Sequence, residues 1–214
     1  MKTYCFVTNH SLEDVPTVAN RLFPYIMEFI KNKNKVILIS SDENSIKRFD
    51  NNLFTHILNP YQRNKPSSFM KRAMFEWFES RKVLKKVAKL DADIVVITIP
   101  SMFLLFNASI LKEKMLYLDV RDLTWEYLSN KGVQLLAKLL FRVMFNISIK
   151  LFNSIVVTNE AELEYFTVKK IDALLYYNGV DFKQFLELST LPAKNNNNFV
   201  ISYIGNVGIA QNLE

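Results

Sequence analysis

Seven apolar runs of strand length recur along this chain of 214 residues: Tyr4–Thr8, Lys35–Ser40, Ile94–Ile99, Met115–Val120, Ser154–Thr158, Leu174–Tyr177 and Phe199–Ile204. Most are nearly continuous rather than alternating. A strand with one wet face alternates in polarity; a strand covered on both faces does not, and that is the condition inside a parallel sheet flanked by helices. Between the runs lie stretches with helical spacing, at Thr17–Asn32, Ser67–Leu90, Val133–Phe152 and Glu160–Phe166. The alternation predicts an α/β fold, a Rossmann-like open parallel sheet with helices on both faces.

The length and a hydrophobic content of 50% suit one well-packed domain and fall short of two full ones. Cys5 is the single cysteine, so no disulfide can form within the chain. It sits in an apolar run and reads as a small core residue in a reducing compartment. The opening "MKTYCFVTNH" lacks the apolar stretch and small-residue cleavage site of a signal peptide. No uncharged apolar run reaches the roughly 18 residues of a membrane span. The expected location is the cytoplasm.

Charge is concentrated. Lys65–Lys89 holds eight basic residues against Glu76 and Glu79, a net of +6 that equals the whole chain's. Such a face is either solvated or suits an anionic surface. In the same helix Met70, Ala73, Met74, Trp77, Leu84, Val87 and Ala88 fall on one stripe, read as core packing. In Val133–Phe152 the polar positions Lys138, Arg142, Asn146 and Lys150 recur every fourth residue. That helix is either buried between other elements or lies in a membrane interface with its basic residues at the headgroups.

Glycine is scarce: four in the chain, none before Gly132. The first strand is followed by "TNHSLEDVPTVANRL", without the glycines that let a backbone approach a dinucleotide pyrophosphate, so no nicotinamide or flavin cofactor is expected. P-loop, HExxH and GxSxG patterns are absent from the sequence. One cysteine and two distant histidines, His10 and His56, make a poor zinc set.

Two phrases carry more. In "YLDVRDLTWEYL" a strand runs into Asp119, Arg121, Asp122, Trp125 and Glu126. Ligands of open α/β sheets bind beyond the carboxyl ends of strands, where such charges can orient a polar substrate or take a proton; an Arg–Asp helix cap is the structural alternative. In "LLYYNGVDFKQF" a strand ends on the turn pair Asn178-Gly179, and Asp181 can cap a short helix. The stretch "PAKNNNN", residues 192–198, reads as a linker. It separates a domain over residues 1–191 from a last strand and glycine turn over 199–214.

In order, "DIVVITIPSMFLL", "LYLDVRDLTWEY", "FNSIVVTNEAELEYF", "YYNGVDFKQF" and "ISYIGNVGIAQNLE" resemble the retaining glycosyltransferases of the GT-B fold. The group resembled transfers sugars onto lipid-linked or cell-surface polysaccharide precursors. The resemblance covers most of the chain and is strongest from Asp93 onward. It implies that residues 1–191 are the acceptor-side domain, and that Gly205 and Gly208 open a C-terminal donor-binding domain whose remainder is missing. Gly205 and Gly208 would approach the donor diphosphate only with that half supplied, by a second chain for example. The co-substrate implied is a nucleotide-sugar, and no catalytic metal is expected. The cleft would be lined by His10, Pro100, Arg121, Asp122, Glu126, Glu160 and Asn178. Asp122 or Glu126 would position the acceptor hydroxyl, Arg121 would orient the cluster, and His10, Glu160 and Asn178 would bind substrate. Relatives usually carry glycines after the first strand; His10–Asp14 has none. Arg21 matches a position where arginine is common, its other reading being a solvated helix residue.

A lipid-linked acceptor suits peripheral attachment to an anionic membrane through the basic and apolar helices. The competing expectation is a non-catalytic membrane- or carbohydrate-binding module on the same fold. Nucleic acid is not an expected partner, because the aromatics occupy apolar periodic positions rather than alternating with Lys and Arg.

Overall fold

A computed structural model describes residues 1–13, 16–42, 51–59, 68–178 and 186. Among the described residues seven strands form one sheet: β1 (Thr3–Val7), β2 (Lys35–Ser40), β3 (Phe54–Leu58), β4 (Ile94–Ile99), β5 (Met115–Val120), β6 (Ser154–Val157) and β7 (Leu174–Leu175), in the order β3-β2-β1-β4-β5-β6-β7. Every pairing is parallel. The Rossmann-like α/β architecture expected from the apolar runs is the one observed. The strand order reverses between β1 and β4, so the chain leaves these neighbours toward opposite sides and opens a crevice at their carboxyl ends.

The helices are α1 (Pro16–Lys31), α2 (Phe69–Ala88), α3 (Met102–Phe106), α4 (Gly132–Ser148) and α5 (Glu160–Val168). The two-residue period of a strand sends Phe6 to one face and Cys5 and Val7 to the other. Phe6, Val36 and Leu38 pack with Val18, Leu22 and Ile26 of α1. Cys5, Val7, Val95, Ile97 and Leu118 pack with Leu84 of α2, Leu104 of α3, Phe145 of α4 and Phe166 of α5. Cys5 is a core residue, and burial pushes its thiol up to about 12.

β3 was not among the expected strands. "FTHIL" is short and carries His56, and as an edge strand it is only half-buried, so it lacks the continuous apolar signature of its neighbours. α2 also departs from expectation. Leu84 and Val87 are buried and Trp77 half-buried, but Met70, Met74 and Ala88 are exposed. The packed stripe is rotated toward Ser80 and Val83.

On α4 the polar stripe divides: Lys138 is bonded into the domain, Arg142 is partly exposed, and Asn146 and Lys150 are exposed. Lys138 is 7% exposed and donates to the carbonyls of Glu126 (2.8 Å) and Leu128 (3.4 Å) and to Asn130 Oδ1 (3.2 Å). Arg142 donates through Nε to Glu126 Oε1 at 2.9 Å and through Nη2 to Oε2. The outward surface of the helix is mostly apolar, with Gln134 and Asn146 also exposed.

Residues Met1–Gly179 make up one compact unit. The expected linker 192–198 and the final strand and turn 199–214, with Gly205 and Gly208, lie outside the described residues.

Candidate functional site

The carboxyl ends of the strands gather the polar residues. After β1 the chain makes a loop without glycine, and Asp42, just beyond β2, organises it. Its carboxylate accepts from Ser11 Oγ (2.6 Å), the backbone N–H groups of Leu12 (3.0 Å) and Glu13 (2.9 Å), and Ser40 Oγ. Burial alone would raise the Asp42 carboxyl, but these donors outweigh it and hold it below the usual range. Ser40 Oγ also lies 2.9 Å from His56 Nε2, and burial lowers the proton affinity of that imidazole. Asn59 Nδ2 donates to Asn9 Oδ1 at 2.9 Å. A glycine-rich loop turns its N–H groups toward a bound anion. Here those of Leu12 and Glu13 are directed at a carboxylate of the protein itself. His10, in this loop, receives Ser41 N–H on its carbonyl at 3.2 Å and is half-buried.

Next along the sheet is a buried ion pair. Arg21 of α1 is 1% exposed, so the solvated reading of this residue is overturned. Its Nε and Nη2 approach the same oxygen of Asp119, Oδ1, at 2.9 and 2.8 Å. Asp119 Oδ2 is left without a hydrogen bond. The guanidinium lies 5.4 Å from the Tyr25 ring centroid and 5.3 Å from that of Tyr176, and it donates to the Tyr176 carbonyl. Burial raises the Asp119 carboxyl even against the charge of Arg21. Asp119 is therefore a packing residue tying β5 to α1 and, through Arg21, to Tyr176 beyond β7.

Beyond β5 the arrangement opens. Arg121 Nη2 donates to Thr17 Oγ1 at 2.9 Å, which orients the guanidinium toward the start of α1. Burial lowers its proton affinity, with Asp119 and Asp122 opposing. Asp122 is exposed and accepts from Tyr127 Oη at 3.1 Å. Glu126 faces the other way: besides Arg142 it accepts from Trp125 Nε1 at 3.1 Å and Tyr165 Oη at 3.4 Å. The bond from Arg142 comes first among the causes that hold it below the usual carboxylate range. Glu126 thus fastens α4 and α5 to the 3-10 turn Thr124–Tyr127. That turn buries Trp125 against Phe145, with centroids 4.8 Å apart.

After β6, Asn159 caps α5 by accepting from Glu162 N–H at 2.9 Å. Glu162 Oε2 in return accepts from Thr158 N–H and Oγ1, both at 3.1 Å. This reciprocal arrangement is a capping box shifted by one residue. Burial raises the Glu162 carboxyl, and the charges of Asp122 and Asp119 push the same way. Sequence reasoning named Glu160 and passed over Glu162; the Asn-x-x-Glu spacing was its signal. Glu160 is exposed and its carboxylate accepts from Tyr177 Oη. Asn178, also exposed, follows three residues after β7.

Arg121, Asp122 and Glu162 thus form one electrostatic group at the ends of β5 and β6, while Glu126 is turned toward α4. An exposed carboxylate, a buried carboxyl of raised proton affinity and an oriented guanidinium can hold a hydroxyl and move its proton. The loop that carries Arg121 and Asp122 also walls a half-open cleft of about 250 Å³. Thr124, Trp125 and Leu128 line it together with Ala73 and the Arg72–Glu76 ion pair of α2, Met102 and Phe103 of α3, and Phe141 of α4. Its walls suit an apolar group. Among the described residues no cluster of His, Cys, Asp and Glu offers a metal site.

No protein-family model matches the chain, and no curated protein does. Among solved structures it is similar to a UGT transferase of Siraitia grosvenorii in complex with UDP, at 12% identity and a TM-score of 0.49, covering 83% of this chain and 50% of that one. It is similar also to Phytolacca americana UGT2 complexed with UDP-2fluoro-glucose and pterostilbene, at 10% identity and a TM-score of 0.49, over 89% of this chain and 57% of that one. The chain spans about half the length of these proteins, and the likeness is one of fold.

Proposed function

We propose that this chain is the acceptor-binding half of a glycosyltransferase that moves a sugar from a nucleotide-sugar onto a lipid-linked or polysaccharide acceptor. The ordered motif series in the sequence supports the reaction class. The observation that carries the acceptor role is the pairing of a charge group, exposed Asp122 with half-buried Arg121 and buried Glu162, with a largely apolar cleft walled by the same loop. Asp122 accepts a hydrogen bond from the acceptor hydroxyl, and Arg121 keeps the group oriented. The acceptor oxygen then bonds to the anomeric carbon as the bond from that carbon to the diphosphate oxygen breaks, and the hydroxyl proton passes to the Asp122 carboxylate. His10, Glu160 and Asn178 flank the crevice as further substrate contacts. Glu126 serves by holding the loop rather than by touching substrate.

The donor diphosphate is met by groups outside this unit, Gly205 and Gly208 included, once a C-terminal half is supplied. The closed loop at Asp42 supports this division, because its N–H groups at Leu12 and Glu13 are already taken. A cytoplasmic setting suits the single buried cysteine.

Calorimetry with a panel of nucleotide-sugars tests the reading. The chain alone should bind none at micromolar strength, and the chain with a matching C-terminal half should bind one. Micromolar binding by the chain alone would refute the division of labour. In the reconstituted enzyme Asp122→Asn should lower kcat by about a hundredfold, in the usual range for a positioned acid–base group, with thermal stability unchanged.

A further inference from the structure

The outward face of α4 has no partner in the described structure. Val133, Leu136, Leu139, Leu140, Val143 and Ile147 are all exposed, Val133 at 71% and Leu136 at 68%. At 100° per residue they share an arc of about 120° along the helix. A soluble helix turns its charges outward; this one buries Lys138, ties the partly exposed Arg142 to Glu126, and presents branched apolar side chains beside solvent-facing Asn146. Contiguous exposed apolar surface of this kind marks an interaction site.

We infer that this face docks on an anionic lipid bilayer, with α4 lying in the interface plane. Charge complementarity selects that occupant. No acidic residue occurs between Tyr127 and Asn159. Lys131 and Lys150 stand exposed at the two ends of the helical stretch, where long side chains reach headgroups. Two copies joined antiparallel along this face would set Lys131 against Lys150, like against like. Gly132–Leu151 is long and apolar enough to cross a bilayer, but Lys138 is bonded into the domain and the stretch leads directly into β6. The helix therefore lies on the surface rather than spanning it. This inference stands apart from the sugar-transfer reading, since it rests on no site residue.

Flotation with vesicles tests it, using phosphatidylcholine alone and phosphatidylcholine mixed with phosphatidylglycerol. The full chain should float with the mixed vesicles, and less with the neutral ones. The variant Leu136→Ser/Leu140→Ser/Val143→Ser should lose about fiftyfold in partitioning, from three apolar side chains each partly buried in lipid. Ile147→Asp is a second variant that touches no core contact and should weaken binding in the same direction. Circular dichroism should show both variants folded. Failure of the wild type to float with either vesicle would overturn the inference, as would unchanged partitioning of the folded triple variant. A dimer that ignores vesicles and dissociates in the triple variant would also overturn it, assigning the face to a second copy.

Discussion

Asp42 and Glu162 occupy comparable places, each just beyond the carboxyl end of a strand and each largely withdrawn from water, yet their electrostatics run in opposite directions. Asp42 beyond β2 collects three donors from the neighbouring loop and a fourth from Ser40 of β2, and its proton affinity falls. Glu162 beyond β6 has Thr158 as its donor, and burial together with Asp122 and Asp119 raises its proton affinity. Buried carboxylates cost folding free energy unless donors compensate them. At the β1–β2 end of the crevice the N–H groups of Leu12 and Glu13 are therefore taken up by the protein itself. The β5–β6 end keeps polar capacity for a ligand.

The strongest way to break this contrast is to release Asp119 between the two ends. Arg21→Ala would strand a buried carboxylate and should cost about 3–5 kcal/mol in urea unfolding, whereas replacing Arg21 and Asp119 together by leucines should recover most of that loss. If Arg21→Ala costs less than about 1 kcal/mol, the pair is not a buried packing element tying β5 to α1.

Next in size is Asp42→Ala, which leaves the N–H groups of Leu12 and Glu13 and two hydroxyls without their acceptor; the expected loss is about 2–4 kcal/mol. The pH dependence follows from the lowered carboxyl. Its stabilisation is present above the ordinary aspartate range near pH 4 and is lost as pH falls through the lower folded-state value. Wild type and Asp42→Ala should converge in stability on acidification.

Glu162→Gln sharpens the contrast, because removing charge here should be neutral or stabilising by up to about 1 kcal/mol at pH 7. The raised carboxyl contributes stability fully below the ordinary glutamate range, and that contribution is lost as pH rises through the folded-state value. The amide variant should therefore gain on wild type as pH rises. Destabilisation comparable to Asp42→Ala would place Glu162 with the structural carboxylates. The smallest effect belongs to Tyr127→Phe, which removes one exposed hydrogen bond to Asp122 and should change stability by no more than about 0.5 kcal/mol.

The sheet was legible because its signal is local. Runs such as Ile94–Ile99 and Lys35–Ser40 are apolar without alternation, and only strands covered on both faces tolerate that. The edge strand Phe54–Leu58 escaped because half-exposure mixes its composition. The charges of "DVRDLTWE" were visible as a group in the sequence, but their division was not. Asp119, Arg121, Asp122 and Glu126 lie within eight residues, yet in the fold they meet α1, Thr17, Tyr127 and α4 respectively.

By itself the sequence determined the parallel α/β architecture, the burial of Cys5 and the absence of a glycine loop after β1, since each depends on composition and short-range order. The tertiary structure alone decided the rest. It sent Arg21 inward to an aspartate 98 positions away, joined Asp42 to a loop about 30 positions earlier, and turned the cations of α4 toward Glu126 with the leucines outward. Helical periodicity states which side chains share a face. Which face is buried depends on where a compensating charge arrives from elsewhere in the chain, and that is a property of the packed molecule.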